Sequence, residues 1–252
     1  MTGKDTRSSL SDDPSAFEKA REILKNSDNI VFFGGAGVST ESGIPDFRSR
    51  DGIYSRPFAY PPERVLSRSF FLKHPDIFYD FYRERCLRPM LPALPNPAHV
   101  KLAEREREGQ LRAVVTQNID DLHGKAGSRN VLQLHGSACR NHCLACGKEY
   151  SLEQVLQQKG PARCACGGLV RPGIVLFEEP LDEDVIARAI RFIRAADVLL
   201  VAGSSMSVYP AAGLVDYFSG RHLILINRDV SGIDQRADIV LRGSVGEILG
   251  AM

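Results

Sequence analysis

The sequence predicts an α/β protein built on a parallel sheet, and three observations carry that reading. Short apolar, β-branched runs alternate with amphipathic helical stretches, the runs end in small or polar residues, and the first run feeds a glycine-rich turn. That run, Asn29-Ile30-Val31-Phe32-Phe33, is apolar beyond its first residue, as a strand buried on both faces should be.

The turn after it, Gly34-Gly35-Ala36-Gly37-Val38-Ser39-Thr40, has the chemistry that brings backbone N–H groups up to a phosphate, because glycine lets the backbone close on a ligand. The G-x-G-x-x-G spacing is incomplete: Gly35 and Gly37 fit, and Thr40 stands at the third position. Gly43-Ile44-Pro45-Asp46-Phe47-Arg48 follows and combines turn residues with an aromatic and a guanidinium. Such an aromatic can shield a reactive carbon from water, and Arg binds phosphate or carboxylate in bidentate fashion. An ordinary loop with Phe47 in a core and Arg48 solvated is the alternative.

The other elements follow in order. Residues 15–26 place Phe17, Ala20, Ile23 and Leu24 at helical spacing, with Ser15 as N-cap. Residues 49–96, rich in Pro and aromatics with a helix near 75–85, interrupt the alternation and read as an insertion or small helical subdomain. Residues 97–108 form a helix ended by Gly109, and 111–116 a strand running into Gln117-Asn118-Ile119-Asp120-Asp121. A short strand at 131–134 ends at His135-Gly136-Ser137. Residues 182–195 read as an amphipathic helix, 197–202 as a strand meeting Gly203-Ser204-Ser205, and 210–218 as a helix with Pro in its first turn. Strands at 222–226, ending at Asn227, and at 237–241 precede a closing helix at 245–249. Small or polar residues therefore recur at strand ends, where open α/β sheets bind ligands, which predicts one crevice lined by all of them.

At 252 residues the chain suits one large domain, alone or carrying a small one. Its formal net charge of +1 gives no whole-molecule field for nucleic acid or anionic membrane. Residues 101–112 alternate in sign and read as a solvated helix face. No apolar run reaches the ~18 residues of a membrane span. Residues 1–14 are polar, lack an apolar signal core and read as a mobile tail. Asp5, Asp12 and Asp13 argue against a transit peptide, so the cytoplasm is the expected compartment.

Residues 139–170 hold five of the six cysteines and little regular pattern. Cys143, Cys146, Cys164 and Cys166 form two close pairs that fit a closed, structural tetrahedral zinc site. Two disulfides or unligated thiols are the alternatives, the former disfavoured in a cytosolic chain. Cys139 is a candidate fifth thiol beside the cluster, and Cys86 reads as a buried or half-buried one. Arg140, Lys148, Lys159 and Arg163 lie in or near the module, but no basic helix or aromatic platform points to nucleic acid.

Taken together, Gly35-Ala36-Gly37-Val38-Ser39, the 43–48 segment, Thr116-Gln117-Asn118-Ile119-Asp120, Leu134-His135-Gly136, the four cysteines, Gly203-Ser204-Ser205 and Asn227 resemble the sirtuin family of NAD-dependent protein-lysine deacylases, of bacterial or archaeal type. The resemblance implies a Rossmann-like NAD domain (15–48, 97–138 and 171–252). It also implies a small domain made of the helical insertion (49–96) and the zinc module (139–170). It implies transfer of an acetyl group from acetyl-lysine to ADP-ribose, with release of nicotinamide. Gly35, Ala36, Gly37, Thr40, Asp46, Phe47 and Arg48 would surround the nicotinamide ribose and phosphates. Gln117 and Asn118 would contact ribose or order water, and Ile119 and Asp120 would hold the carboxamide. Gly203, Ser204, Ser205, Asn227 and Val245 would take the other half of NAD. Val175, Leu176 and Phe177 would form the strip along which a substrate peptide adds as a strand, and Tyr79 would lie beside the substrate.

The chemistry such a site needs is a nucleophile in place, water kept out and a base for a ribose hydroxyl. The acyl oxygen would be the nucleophile, Phe47 would close over the face nicotinamide leaves, and His135 would be the base, since the unperturbed pKa of histidine is near working pH; a hydrogen-bonded histidine at a strand end is the alternative. His123 reads as structural or surface. Relatives that prefer succinyl or malonyl groups carry Tyr-x-x-Arg in the helical insertion. Here Tyr79 is followed by Tyr82 at the Arg position, and Tyr82-Arg83-Glu84-Arg85 repeats the pattern three residues later, so acetyl or another neutral acyl group is expected. Relatives have Phe-Gly-Glu where this chain has Phe177-Glu178-Glu179, and Glu178 either favours basic peptides or is merely solvated. Other acyl-lysines, ADP-ribosyl transfer, an NAD oxidoreductase and a non-catalytic zinc-stapled module are the rival readings. None requires an oligomer.

Overall fold

The computed structural model describes residues 13–47, 49, 52–55 and 57–252; Arg48 lies outside the described residues. Among the described residues there are nine strands: β1 (Ile30–Gly34), β2 (Leu111–Thr116), β3 (Val131–Gln133), β4 (Gly136–Cys143), β5 (Glu149–Tyr150), β6 (Val170–Ile174), β7 (Val198–Ala202), β8 (His222–Asn227) and β9 (Ile239–Arg242). Six of them form one sheet in the order β3-β2-β1-β7-β8-β9, all pairs parallel. Every residue of β1 and β7 is buried, which is why both read as unbroken apolar runs.

Alternation sends Ile30 and Phe32 to one face and Val31 and Phe33 to the other. Helices Pro14–Lys25, Pro97–Arg107 and Val245–Gly250 pack on the first face. Helix Glu183–Ala195 and the 3₁₀ segment Ala211–Tyr217 cover the second. The order reverses between β1 and β7, and Gly34 is in register with both Thr116 and Ala202. Three strand ends therefore open at one level, the condition for a crevice at a switch point.

Local details differ from expectation. The first helix is capped by Asp13 rather than Ser15: its Oδ1 accepts from the Ser15 and Ala16 N–H groups at 2.9 and 3.0 Å. Pro14 takes the first helical position, where a missing N–H costs nothing. Residues 211–217 form a 3₁₀ rather than an α-helix. Among the described residues no helix is long and apolar enough to cross a membrane.

The second sheet is antiparallel, in the order β5-β4-β6, and runs through residues expected to have little regular pattern. It shares a core with helices Pro62–Val65, Arg68–Lys73 and Pro75–Tyr82 and the π-turn Arg83–Leu87. Aromatics dominate that core: Phe71 and Phe78 lie 4.8 Å apart edge to face, and Phe78 stacks on Tyr82 at 5.3 Å. Tyr79, expected beside the substrate, is fully buried here, where its hydroxyl donates to the Val170 carbonyl. Its helical register points it at the small sheet. Cys86 is buried, and burial pushes its thiol up to about 12.

At the outer end of this sheet the sulfurs of Cys143, Cys146, Cys164 and Cys166 lie within 4.8 Å of one another, with near pairs at 3.5–3.6 Å. Zn–S bonds of about 2.3 Å in a tetrahedron put sulfurs about 3.8 Å apart, so the four residues fit a closed zinc site. Gly168 has room for no side chain, since a Cβ there would lie 2.6 Å from the Cys143 sulfur. Cys139 is not part of the group. Zinc here is structural, and we expect about one ion per chain by elemental analysis. Stripping it with a chelator should lower the melting temperature by several degrees and loosen β4–β6 in hydrogen exchange. An unchanged melting curve in metal-free protein would contradict this.

Candidate active site

The turn after β1 is two short 3₁₀ turns, Ala36–Val38 and Thr40–Ser42, closed by Gly43 at φ +84°. Its glycines also serve a purpose beyond the one expected. The Gly35 N–H donates to the Ala202 carbonyl at 3.1 Å and the Gly37 N–H to the Gly203 carbonyl at 2.8 Å. A Cβ on Gly35 would lie 2.7 Å from the Gly203 oxygen, and one on Gly37 2.8 Å from the Gly203 Cα. Both glycines are therefore required by contact between two protein turns, whatever ligand lies beyond.

Two adjoining cavities open over the strand ends. The first, about 340 Å³, is walled by Ala36, Gly37, Thr40, Asp46 and Phe47 on one side and by Gly203, Ser204, Ser205, Asn227 and Val245 on the other. The second, about 260 Å³, runs between Ile119 and Asp120 and the strip Val175, Leu176 and Phe177. Ala36, Phe47, Gln117, Asn118 and His135 line both and so stand at their junction. Gly35 lies beneath the first cavity without lining it, and Tyr79 lines neither.

His135 follows β3 and is fixed on two sides. Its carbonyl accepts from the Val175 N–H at 2.9 Å, and its Nδ1 is 2.9 Å from the Gln117 carbonyl. A carbonyl only accepts, so Nδ1 carries the proton and Nε2 of the neutral ring is left as an acceptor. Burial lowers the His135 pKa below the ordinary histidine value, partly countered by that hydrogen bond.

Beside it, Ser39 Oγ donates to Asp120 Oδ2 at 2.7 Å and accepts from Asn118 Nδ2 at 3.0 Å. Burial pushes the Asp120 carboxyl up, while hydrogen bonds from the Leu122 N–H and Ser39 hold it down. Gln117 Oε1 accepts from Ser204 Oγ at 2.9 Å, while its Nε2 is buried without a partner. An orphaned donor in the cleft wall is what a bound polar ligand would satisfy. Asn227 is occupied within the protein: its Oδ1 accepts from the Ser204 N–H at 3.1 Å and its Nδ2 donates to the Ser204 carbonyl at 2.8 Å. It locks the turn that carries Ser204 and Ser205.

Glu178 lines the second cavity and is tied to the helical unit. It has φ +75°, and its carboxylate accepts from the Ser69 N–H and Oγ at 2.9 and 2.8 Å, which holds its pKa below the usual range. The neighbouring Phe177 exchanges backbone hydrogen bonds with Leu66 and Arg68, both 3.0 Å, so the strip is docked against the helical unit. His123 is buried among Phe32 and His99, as a structural residue would be, and not at the surface.

Sequence reasoning missed Ser39 and Val208, and set Arg85 aside as displaced from the Tyr-x-x-Arg pattern. Ser39 was legible only as part of the glycine turn. Arg85 reaches the second cavity because it sits on the π-turn, and Val208 lines both cavities from the loop after Ser205.

The Sir2 family profile matches residues 35–210. A protein of Clostridium perfringens named NAD-dependent protein deacetylase is 50% identical over 236 residues, covering 92% of this chain and 96% of that protein. A Pyrococcus abyssi protein named NAD-dependent protein deacylase is 43% identical over 236 residues, covering 90% and 92%. Among solved structures, a Sir2 protein bound to a propionylated peptide superposes with TM-score 0.81 at 39% identity, covering 92% of this chain and 95% of that one. With a glycine turn, an imidazole and a four-cysteine cluster in one architecture and relatives this similar along most of its length, the chain belongs to the Sir2 family.

Proposed function

We propose that this chain is an NAD-dependent protein-lysine deacetylase that passes an acetyl group to ADP-ribose and releases nicotinamide. The observation that carries the reading is His135 at the junction of the two cavities, its Nδ1 engaged by Gln117 and its Nε2 free to accept a proton. NAD, when bound, supplies the sugar carbon that takes the acyl oxygen as nicotinamide leaves. The fit of the first cavity is supported by its depth at the strand ends, the Gly37 and Ala36 backbone and the unpaired Gln117 Nε2.

His135 Nε2 takes the proton of a ribose hydroxyl, helped by a ring that burial keeps neutral. Phe47 lines both cavities and screens the reacting centre from water. Asn118 is oriented by Ser39, and Ser39 in turn by Asp120, so the three act as one rigid group at the end of the second cavity. There Ile119 and Asp120 suit a carboxamide. Val175, Leu176 and Phe177 are the strip for an acyl-lysine peptide. We place the enzyme in the cytoplasm, where four thiols can be kept for metal, and assign it no nucleic acid or membrane partner and no need of an oligomer.

For the acyl group, Tyr82 occupies the position of the charged partner but is buried in the aromatic core and lines neither cavity. One observation favours a second reading: Arg85 lines the second cavity with Cys86 and Met90, its Nη2 donating to the Pro57 carbonyl at 3.2 Å. A guanidinium there could receive an acyl carboxylate.

Mass spectrometry of an acetyl-lysine peptide incubated with NAD should show deacetylated peptide, nicotinamide and O-acetyl-ADP-ribose. His135→Ala should lower kcat/KM by roughly 10²–10⁴-fold while NAD still binds; label from the adenylate half on protein would point to ADP-ribosylation instead. Because the base must be neutral and its pKa is lowered, activity should be lost only as pH falls below the ordinary histidine value of about 6.5. An acidic limb centred above that value would contradict the assignment. Acetyl-lysine should outrun succinyl-lysine in kcat/KM; succinyl ahead in the wild type, and lost in Arg85→Leu, would establish the second reading.

A further inference from the structure

Asn96 lines neither cavity, yet it is attached to the turn that forms one wall of the first. It is 6% exposed and is the N-cap of helix Pro97–Arg107, with extended backbone. Its Oδ1 accepts from the Ala98 N–H at 3.0 Å, and its own N–H donates to His99 Nδ1 at 3.3 Å, which completes a capping box. Ser, Thr or Asp would serve that purpose equally well. Asparagine differs in keeping an amide NH₂ after the cap is made.

That NH₂ crosses to the glycine turn. Nδ2 donates to the Val38 carbonyl at 2.7 Å and to Ser42 Oγ at 3.1 Å. Val38 ends the first 3₁₀ turn and Ser42 the second, so a single amide holds both. On its other side the same turn is held by Gly203, through the Gly37 N–H. Ala36, Gly37 and Thr40 are thus suspended between Gly203 and Asn96. The anchor is itself rigid: Ala98 and Leu102 are buried in the sheet core, and the His99 ring lies 4.7 Å from that of His123.

We propose that Asn96 is a positioning residue for the dinucleotide turn, setting the height of the Ala36–Thr40 backbone and so the affinity for NAD without touching it. The inference rests on the reading of the first cavity as the NAD site. Asn96→Ser separates its two functions, because serine caps helices as well as asparagine but its short hydroxyl cannot reach Val38. Asn96→Asp does so isosterically, keeping the cap oxygen and replacing the donor with an acceptor. Asn96→Ala removes both functions.

Calorimetric Kd for NAD, KM for NAD and for an acetyl-lysine peptide, and melting temperature are the readouts. The Ser and Asp variants should weaken NAD binding and raise its KM roughly tenfold, as expected when a buried carbonyl loses its donor. Peptide KM should stay within about twofold, and melting temperature in the Ser variant should lie nearer wild type than in the Ala variant, whose NAD affinity should be equally poor. NAD affinity unchanged in the Ser and Asp variants would overturn the proposal. So would peptide and NAD KM rising together with a melting temperature as low as that of the Ala variant. A wild-type chain that takes up no NAD would overturn the reading of the cavity, and the proposal with it.

Discussion

The approach of the Gly203 backbone to the turn after β1 is the contact on which the site depends. β1 and β7 are neighbours in register, so their turns emerge at the same level and would collide if either carried side chains at the point of crossing. Glycine at 35, 37 and 203 lets them touch instead; a Cβ on Gly203 would lie 2.4 Å from the Val38 nitrogen. Forcing even one extra carbon into such a contact costs about 1–3 kcal/mol. Here the cost would appear as a displaced binding wall, since Ser204 follows Gly203 directly and its hydroxyl meets Gln117.

A second junction joins the two sheets at the base. His135 lies between the end of β3 and the start of β4, and the chain reverses there through Gly136 at φ +73°. A Cβ on Gly136 would lie 2.2 Å from the Gly173 carbonyl, so the two strands close at a distance only glycine permits. The Val175 N–H then binds the His135 carbonyl, which fixes the backbone of the imidazole to the strip that walls the second cavity. The small sheet therefore helps to fix this junction: the four-cysteine cluster lies at the far end of strands whose near end holds His135 and Val175.

The parallel sheet was legible because burial on both faces leaves a run such as Ile30-Val31-Phe32-Phe33 without polar interruption. The crevice was legible because polar residues resume as each strand ends. The small sheet was not, since Gly136-Ser137-Ala138-Cys139-Arg140-Asn141-His142-Cys143 shows no apolar alternation and β5 is two residues long. A strand stabilised by thiolates and a neighbouring aromatic core need not advertise itself in hydropathy. Tyr79 was misplaced for a related reason: the helical insertion is apolar on more than one side, so its inward face cannot be told from its cavity face by pattern alone. Asn96 gave no signal beyond its position before Pro97, because a cap and a tertiary hook have the same sequence signature.

Glu178 illustrates how a charged side chain can serve a local backbone need. The position lies in left-handed space, which glycine occupies freely and a carboxylate side chain does not. A charged residue persists there because its carboxylate finds two donors on Ser69, the second residue of helix Arg68–Lys73. Those bonds tie the end of the strip to the helical unit at a point beside the Phe177 pairing with Leu66 and Arg68. With both carboxylate oxygens so engaged, Glu178 fixes the backbone next to Phe177. The strip is thus held at both ends by the protein, by His135 at Val175 and by Ser69 at Glu178.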